Sequence, residues 1–462
     1  MKRNAYLNPI TIALLMIASA ANVFSQSTNA PAETGIVSLA KQTPPVEAEA
    51  SQPTYAQFVD AKNGLSLADL VRLALEHNGE LAAARQMIAE ARGRLRQAGF
   101  KPNPMVEASG TRGLTSADNT LMISGELPLE LGGRRKARIA VAQRELEMRE
   151  AEVADFERKL AAEVRMKYVE AMAMARNLQV SEDLLTLTRN SHRLVKARVD
   201  YGKSAPLEQS EIFVEMNRID ASRIGFQAKV EIALLELKKL IGLSAEDHLR
   251  LRGDWVFDQP PQTKDEALRV ALASRADLIA YRAAEALAAA EIEQARIEGK
   301  VDASLFANYQ RMNSGFDVFG LNEMGGRVPV QGIFHLATFG VKLTLPVRNK
   351  NQGAIEAAIA SQEAARKRRE FAEIVARNEV AAAYVQFEAA QAAFALYREG
   401  VHTQAFKNLE VIRKTYTLGQ KSALDYVAEQ RRFIEVEMSF TEMMKDYQSS
   451  LAEIERVIGA KK

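Results

Sequence analysis

The chain has 462 residues, a formal charge of +2 and no cysteine. Near-neutrality argues against nucleic-acid binding, and the lack of cysteine excludes disulfides, thiolate metal ligands and the lipid acceptor of a bacterial lipoprotein. Aromatic residues make up only 6% of the chain, and Ala, Glu, Arg and Leu abound, a composition typical of long helices.

The N-terminus has the pattern of a secretory signal peptide over residues 1–25. Lys2 and Arg3 precede an apolar run at residues 10–21, which is too short to span a bilayer. No later stretch reaches about 18 uninterrupted apolar residues, so we expect any contact with a bilayer to use strands. Residues 26–62 are rich in Ala, Pro, Ser and Thr without sustained periodicity, which predicts a flexible segment.

The stretch Thr120–Arg138 changes from a strand pattern to a helix pattern. Up to Leu131, apolar and polar residues alternate with the period of two of a strand that has one apolar face. Pro128 removes a ladder donor, so we expect an edge, a bend or a bulge there. Gly132 and Gly133 end the strand, and an ordinary soluble α/β protein is the alternative interpretation. Four basic residues then open a long helical pattern: Arg134, Arg135, Lys136 and Arg138.

The second half of the chain repeats the first. At an offset of 197 residues, four residues recur: Arg72, Leu75, Leu81 and Arg85 match Arg269, Leu272, Leu278 and Arg282. Further matches follow the same order along the chain: Leu127, Leu129 and Ile139 with Leu343, Leu345 and Ile355, and Gly202 and Leu207 with Gly419 and Leu424. A repeat of roughly two hundred residues predicts one duplicated unit and is too long for a solenoid.

Each half is predicted to contain a short helix, a strand pair and two long helices. The first repeat, residues 63–260, is expected to hold strands at about 104–113 and 119–131 and helices at about 137–200 and 205–242. The second, residues 261–462, is expected to hold strands at about 301–312 and 336–347 and helices at about 353–417 and 422–458. These strands have nearly the length that a tilted transmembrane strand needs. The Gly-rich segment Asn313–His335 is predicted to be a surface loop.

The long helices carry heptads that predict coiled-coil packing, one of which is Leu207, Val214, Ala221, Ala228 and Leu235. The first long helix would extend on the order of 90 Å, too far for a compact domain. Four strands cannot close a barrel, because about eight is the smallest number seen. We therefore expect closure to need other copies; three copies give twelve strands, and two or four copies are also compatible with this argument.

Residues 65–460 resemble the TolC-like outer-membrane efflux proteins. The resemblance rests on LADLVRLALEHNGELAAAR, QAGFKPNP, ELPLELGGRRKAR, YGKSAPLEQSE and LPVRNKNQG, and it is strongest to the heavy-metal efflux branch of cobalt-zinc-cadmium and copper-silver type. It implies a mainly α fold with a transmembrane β part. The implied assembly is a homotrimer with one twelve-stranded outer-membrane β-barrel, continued by a coiled-coil α-helical barrel through the periplasm.

The same resemblance implies partners: a periplasmic adaptor (membrane fusion protein), an inner-membrane RND pump driven by protons, and the lipids of the outer membrane. It places Gly202 and Gly419 at two hairpin turns that form the periplasmic tip, although a plain turn that needs a positive φ explains both glycines equally. The adaptor is expected to dock at Tyr201, Gly202, Lys203, Leu418, Gly419 and Gln420.

Glu208 and Asp425 correspond to family positions that can carry acidic residues near the closed end of the tunnel. A ring of such carboxylates would attract cations and repel itself. The alternative is that each complements the positive N-terminal end of its own helix. The residues expected at the transition from membrane to tunnel are Pro128, Gly132, Gly133, Arg134, Arg135 and Pro346.

The basic cluster after Gly133 is mildly unfavourable at a helix N-terminus, so helix stability does not explain it. Contact with lipid headgroups is our hypothesis, and a solvated run of charge is the alternative. The five histidines are scattered without an i, i+4 pair, which favours structural or surface roles over a metal site. No nucleophile elbow, P-loop or dinucleotide fingerprint is present, so the sequence predicts no enzyme, cofactor or metal site.

The sequence therefore predicts a passive outer-membrane exit duct of a tripartite efflux system, exporting heavy-metal cations. One alternative is a multidrug or protein-secretion channel of the same family. Another is a periplasmic coiled-coil adaptor or scaffold without a pore.

Overall fold

The computed structural model describes residues 54–114, 118–253, 255 and 263–459. The predicted signal peptide and most of the predicted flexible segment lie outside these residues. The helices and strands are α1 (Tyr55–Phe58), α2 (Leu67–His77), α3 (Gly79–Ala98), β1 (Met105–Arg112), β2 (Asn119–Pro128), α4 (Arg134–Asp200), α5 (Pro206–Ile241), α6 (Lys264–Ser274), α7 (Ala276–Glu298), β3 (Asp302–Leu321), β4 (Arg327–Thr344), α8 (Gln352–Leu396), α9 (Thr403–Thr417) and α10 (Ala423–Ile458).

Equivalent side chains make equivalent contacts in the two halves. The guanidinium of Arg85 donates to the carbonyl of Leu75 at 2.9 Å, and Arg282 donates to Leu272 at 2.7 Å, both pairs being offset by 197 residues. The two C-terminal helices also end alike, because α5 stops at Gly242 with φ 75° and α10 stops at Gly459 with φ 70°. A residue in this left-handed conformation is the usual helix stop.

The four strands form one antiparallel sheet in the order β1-β2-β3-β4. The register places Leu127 opposite Leu305, which lies opposite Val341, so apolar side chains line one face. On the other face, Glu126 accepts a hydrogen bond from Ser304 at 2.5 Å and lies 3.4 Å from the ammonium of Lys342. The register confirms the predicted alternation of apolar and polar residues. β1 and β4 are the edges of this sheet.

The second strand pair is longer than predicted, and the prediction of a surface loop over Asn313–His335 is wrong. β3 and β4 continue through most of that segment, and Phe316 contacts Phe334 edge-on with ring centres 6.0 Å apart. The connection is a tight turn in which the Asn322 side chain accepts from the N–H groups of Met324 and Gly326. The glycines of this segment therefore lie in a short turn and in the two strands that flank it.

The predicted helix at 353–417 is interrupted by a π-helical turn at Tyr397–His402. There the imidazole of His402 lies 2.6 Å from a carboxylate oxygen of Glu437 and stacks on Phe440 with ring centres 4.6 Å apart. This wide turn separates α8 from α9, and the contacts of His402 hold it against α10.

Residues 54–62, the end of the predicted flexible segment, are ordered against the helices. The N–H groups of Thr54 and Tyr55 donate to the Glu182 carboxylate at 2.8 and 3.3 Å, and Val59 pairs with Leu251 as an isolated bridge. The aromatic rings of Tyr55 and Phe58 pack on the core formed by α2, α4 and α5. The prediction of flexibility is therefore wrong for these residues, because two aromatics anchor them.

Three apolar clusters hold the helices together. The largest joins α2, α3, α4 and α5, the second lies near the α4–α5 and α9–α10 turns, and the third joins α6, α8 and α10. In the part of the chain that the structure describes, no helix has both the length and the apolar character to cross a membrane.

Candidate functional site at the hairpin turns and strand–helix junctions

The two helical hairpins end in turns with the same hydrogen bonds. After α4, Gly202 donates to the carbonyl of Val199 at 2.9 Å, and Lys203 donates to Arg198 at 2.7 Å. After α9, Gly419 donates to Tyr416 at 3.0 Å, and Gln420 donates to Thr415 at 2.9 Å. The two glycines have φ of 65° and 76°. Both turns therefore use the left-handed glycine stop, as the predicted hairpin turns require.

The structure brings the two turns together. Arg198 of α4 donates to the carbonyl of Tyr416 at 3.4 Å, and its guanidinium lies 5.7 Å from the centre of that ring. The Tyr416 ring stacks on Tyr426 of α10, with ring centres 5.4 Å apart and an interplanar angle of 3°. The Tyr426 hydroxyl in turn bonds Ser191 and Gln430 at 3.1 and 3.0 Å. Six predicted docking residues thus lie on two adjoining turns, which we call the tip.

Glu208 and Asp425 occupy matching positions but have different surroundings. Asp425 forms a capping box with Ser422, accepting from its N–H at 3.2 Å and its hydroxyl at 3.0 Å. The Ser422 N–H lowers the pKa of Asp425. Glu208 follows Ala205, which offers no side-chain cap. Burial raises the pKa of Tyr416, and the negative charge of Glu208 raises it further. This interaction places Glu208 beside the other hairpin.

A buried carboxylate lies near the tip, at a position that the sequence pattern does not single out. Glu215 is fully buried, and it accepts from Arg218 at 2.9 Å and from Arg431 of α10 at 2.8 Å. Its neighbours on the same face, Ile212 and Ile219, are also buried. The sequence does carry a signal for it: Glu215 lies at the helical spacing of the buried apolar residues Ile212 and Ile219.

The basic residues that open α4 bind the ends of two other helices. Arg134 donates to the carbonyls of Glu298 and Lys300 at 3.0 and 2.9 Å, at the end of α7. Its guanidinium also lies 3.2 Å from the carboxylate of Asp302, which begins β3. Arg135 donates to Gly99 at 2.7 Å, after α3. These cations complement the partial negative charge at the C-termini of α7 and α3. The sequence does not reveal this role, because the cations belong to α4 and the carbonyls to other helices.

Arg138 closes the same junction. It donates to the carbonyls of Ala98 and Phe100 at 3.2 and 3.0 Å and pairs with Glu130 at 2.5 Å. Glu130 has a φ of 49°, an uncommon conformation for a residue with a side chain. The ion pair with Arg138 helps to hold this turn, since it joins the two sides of the break between β2 and α4.

The glycines and prolines of the junctions have distinct places. Gly132 and Gly133 have φ of 72° and 89° in the 3₁₀ turn that precedes α4. Pro128 ends β2, and the next N–H, of Leu129, donates to Ala303 of β3. The Pro128 nitrogen consequently points toward β1, beyond the first paired residue of that strand, so no ladder bond is lost. β2 is an inner strand, and Pro128 is tolerated there because β1 does not extend to its level.

The second-half junction is built with fewer cations. Pro346 follows the end of β4, and Asn351, with a φ of 63°, precedes α8. The Asn351 side chain donates to the carbonyl of Ala295 at 2.9 Å, at the end of α7. Asn351 is offset by 216 residues from Arg135. Its side-chain amide binds a carbonyl at the end of α7, as the guanidinium of Arg135 binds a carbonyl at the end of α3.

Clusters of three or more His, Asp or Glu side chains arranged to hold a metal do not occur among the described residues. His402 is bound to Glu437, His335 contacts the Tyr309 hydroxyl at 2.6 Å, and His192 lies against Phe213 with ring centres 5.8 Å apart. Each of these three histidines thus has a packing or hydrogen-bonding role.

The sequence profile of the family described as "Outer membrane efflux protein" matches residues 70–243 and 267–460, which is most of the chain. The chain belongs to this family. The two matched stretches each contain one strand pair and one pair of hairpin helices.

Two curated relatives are metal-resistance proteins. The cobalt-zinc-cadmium resistance protein CzcC of Cupriavidus metallidurans is 21% identical over 402 residues, which are 87% of this chain and 91% of that protein. The nickel-cobalt-cadmium resistance protein NccC of Alcaligenes xylosoxydans xylosoxydans is 25% identical over 264 residues, covering 56% of this chain and 54% of that protein.

Solved outer-membrane channels share the fold. CusC superposes with a TM-score of 0.69 at 18% identity, covering 90% of this chain and 96% of that one. The open-state MtrE channel of Neisseria gonorrhoeae superposes with a TM-score of 0.67 at 20% identity, covering 85% and 88%. These similarities concern the fold, a mostly helical chain that carries a four-stranded sheet.

Proposed function

We propose that this outer membrane efflux protein is the passive exit duct of a tripartite RND-type system that exports heavy-metal cations. In this proposal the sheet lies in the outer membrane of a Gram-negative bacterium and the long helices extend into the periplasm. The observation that carries the proposal is the two-faced sheet with two open edges, continued directly by helices of up to 67 residues.

The sheet has the chemistry of a membrane barrel segment. Exposed apolar side chains cover one face, among them Leu127, Leu305, Val341 and Leu343, whereas the opposite face carries Glu126 and Lys342. A barrel strand alternates in this way between lipid and a polar lumen. Edges cannot stay open in lipid, because unpaired N–H and C=O groups are costly there. A scaffold without a pore would have no use for these features.

The same edges support assembly from several copies. In a homotrimer β1 of one copy would pair with β4 of the next, giving twelve strands. The helices carry a matching signal, since the heptad of Leu207, Val214 and Leu235 on α5 is exposed in the single chain. On α8, Ile374, Val385 and Leu396 form an exposed apolar line. Packing of these stripes between copies would close a helical barrel.

We infer further that the chain arose by internal duplication. The matching turns at Gly202 and Gly419, the matching helix stops and the Arg85 and Arg282 contacts support this inference. Residues 63–260 and 261–462 would be the two repeats, each supplying half of a barrel segment and one hairpin of the tip.

The tip is the proposed docking site for the periplasmic adaptor. Tyr201 is 81% exposed, and Leu207, Leu418 and Leu424 are between 61% and 73% exposed. Exposed apolar side chains at the ends of long helical hairpins, beside Lys203 and Gln420, suit contact with another helical hairpin of a protein partner. Among the described residues Glu208 has no ion-pair partner. It remains the candidate carboxylate for a cation-attracting constriction, whereas Asp425 is used to cap α10.

The proposed cargo follows from the relatives. A resistance protein for cobalt, zinc and cadmium aligns with nearly the whole chain, which favours metal export over the multidrug or protein-secretion alternatives. The shared fold does not choose among these cargoes, because selectivity is expected to reside mainly in the pump.

Two measurements test the proposal. A deletion strain should lose tolerance to zinc, cobalt or cadmium and regain it when the wild-type chain is supplied. Unchanged metal tolerance with increased sensitivity to dyes or antibiotics would instead assign an organic cargo. Purified protein in a planar bilayer should conduct, and absence of any conductance after verified insertion would refute the duct.

A further inference from the structure

Five cations at the strand–helix junctions make neither an ion pair nor a side-chain hydrogen bond in the part of the chain that the structure describes. All five are exposed, and we call them the basic rim: Lys101, Lys136, Lys300, Arg348 and Lys350. Their neighbours Arg134 and Arg138 are different, since Asp302 and Glu130 neutralise them and helix carbonyls hold them. The basic rim is thus free to bind a ligand, and the structural cations beside it are not.

The topology places the basic rim along one end of the sheet. Met105 at the start of β1 lies opposite Glu126 near the end of β2, and Pro128 lies opposite Ser304 near the start of β3. Asp302 in turn lies opposite Thr344 at the end of β4. Every strand therefore enters or leaves the sheet at this end through a junction, and each of the four junctions contributes at least one member of the basic rim.

Charge is concentrated at this end. Residues 99–104, 129–138, 299–302 and 345–351 contain eight basic and two acidic side chains, a surplus of six positive charges, although the whole chain carries only +2. The other end of the sheet lacks this surplus, because its described residues 112–114, 118–119 and 318–327 contain two basic and two acidic side chains. This difference in net charge between the two ends of the sheet favours anion binding at the junction end.

Apolar side chains accompany the cations. Val301 and Val347 are 42% and 76% exposed, each next to a member of the basic rim, and Leu345 is 60% exposed. The stem of Lys300 lies beside Gly132, where an added Cβ would meet it at 3.7 Å. Apolar surface that borders cations on long stems suits the boundary between hydrocarbon and headgroups, where such side chains extend their charges to the polar layer.

We propose that the basic rim binds anionic phospholipid headgroups in the periplasmic leaflet of the outer membrane. The proposal rests on the proposed function, since it takes this end of the sheet to be the periplasmic one. Lysine and arginine form charge-assisted hydrogen bonds to phosphate oxygens, and each cation near an anionic surface strengthens attraction by on the order of fivefold. The basic rim would select phosphatidylglycerol-type lipids over zwitterionic ones and fix the depth of the barrel.

The test uses the full-length protein purified in detergent and relipidated with equal amounts of phosphatidylethanolamine and phosphatidylglycerol. The lipids that copurify are counted by mass spectrometry. The rim variant is K101Q/K136Q/K300Q/R348Q/K350Q. The matched control is K62Q/K239Q/K264Q/R368Q/K407Q, which removes four lysines and one arginine that are also exposed and lie outside the junctions.

The wild type and the control should enrich phosphatidylglycerol, and the rim variant should lose about fivefold or more of that enrichment. High salt should reduce the wild-type enrichment by screening, a readout that needs no variant and stands if the rim variant fails to fold. Equal enrichment in the wild type and a folded rim variant, or equal loss in the control, would overturn the proposal.

Binding to purified peptidoglycan sacculi separates the competing anionic partner. Loss of sacculus binding in the rim variant, with an unchanged lipid ratio, would assign the basic rim to peptidoglycan and refute the lipid site. Conductance of the wild-type preparation tests the exit duct independently. A conducting pore without lipid enrichment refutes the basic rim alone, and a preparation without a pore refutes the duct.

Discussion

Arg431 on α10 donates from Nε to Oε2 of Glu215 on α5 at 2.8 Å, across 216 residues of sequence. Glu215 is fully buried, and Arg218 of its own helix holds the second carboxylate oxygen. The contact ties the α4–α5 hairpin to the α9–α10 hairpin above the tip. A buried carboxylate is costly without partners, so loss of either arginine should destabilise Glu215, and loss of Arg431 should also remove the link between the hairpins.

Replacing Arg431 with Gln should loosen the two hairpins locally. A double-mutant cycle of Glu215→Gln and Arg431→Gln should give a coupling of about 1–2 kcal/mol, measured as the free energy of local opening by amide hydrogen exchange. The neighbouring Arg432→Gln is the control, since Arg432 is 70% exposed and pairs with Glu429 of its own helix. Its effect should stay below about 0.5 kcal/mol. Equal effects of the two arginine variants would contradict the link.

Alanine at the glycine turns should have unequal effects. Gly202→Ala should cost only about 1–2 kcal/mol, because its φ is positive but nothing lies within 4 Å of the added Cβ. Gly242→Ala should cost considerably more, because the Cβ would meet the His77 carbonyl oxygen at 2.5 Å in addition to the backbone strain. The yield of heat-sensitive oligomer and the thermal midpoint of unfolding measure both. Comparable losses at the two sites would show that space around Gly242 is not limiting.

These turns illustrate what the sequence could predict. The family resemblance places Gly202 and Gly419 at hairpin turns, and the positive φ that such turns need is a local property of glycine. The strand faces follow from the alternation of residues, which is local too. The contacts of Arg134 and Arg138 with α7 and α3 could not be predicted, since the carbonyls that they bind are distant in sequence and carry no residue-specific signal. The lengths of β3 and β4 were missed for a related reason: glycines that look like a loop pair across a long hairpin.

The first turn of α10 should depend on pH. The Ser422 N–H holds the pKa of Asp425 below its ordinary value of 3.8, so the ionised carboxylate is favoured in the folded helix. Its contribution is therefore present above that value and is lost as the pH falls through the lowered pKa. Protection factors for amide exchange in α10, corrected for intrinsic rates, should fall at the acidic end.

Two variants separate the parts of this capping box. Asp425→Asn should flatten the pH dependence, whereas Ser422→Ala should cost about 1 kcal/mol of helix stability even at neutral pH. A pH dependence that survives Asp425→Asn would mean that another carboxylate titrates with this turn.

Charge reversal should divide the basic cluster into two kinds of residue. Arg134→Glu should impair assembly severely, because it places a carboxylate against the carbonyls of Glu298 and Lys300 and against Asp302. Lys136→Glu should lower the yield of the heat-sensitive oligomer much less than Arg134→Glu does, since Lys136 makes no ion pair with described residues and is one of five cations in the basic rim. Oligomer yield in outer-membrane fractions gives the comparison, and equal failure of both variants would show that the cluster acts through net charge.

The exposed heptad on α5 should be needed for assembly but not for folding of the single chain. Val214 is 58% exposed and Leu235 is 45% exposed, so Val214→Glu/Leu235→Glu should remove no intrachain core. Burying two carboxylates between copies would cost several kcal/mol, which should shift the purified protein from oligomer to monomer. Lys239→Glu, an exposed charge change on the same helix, is the control. Cross-linking and mass measurement in detergent decide the outcome: an intact oligomer in the double variant would place the copy-to-copy contact elsewhere.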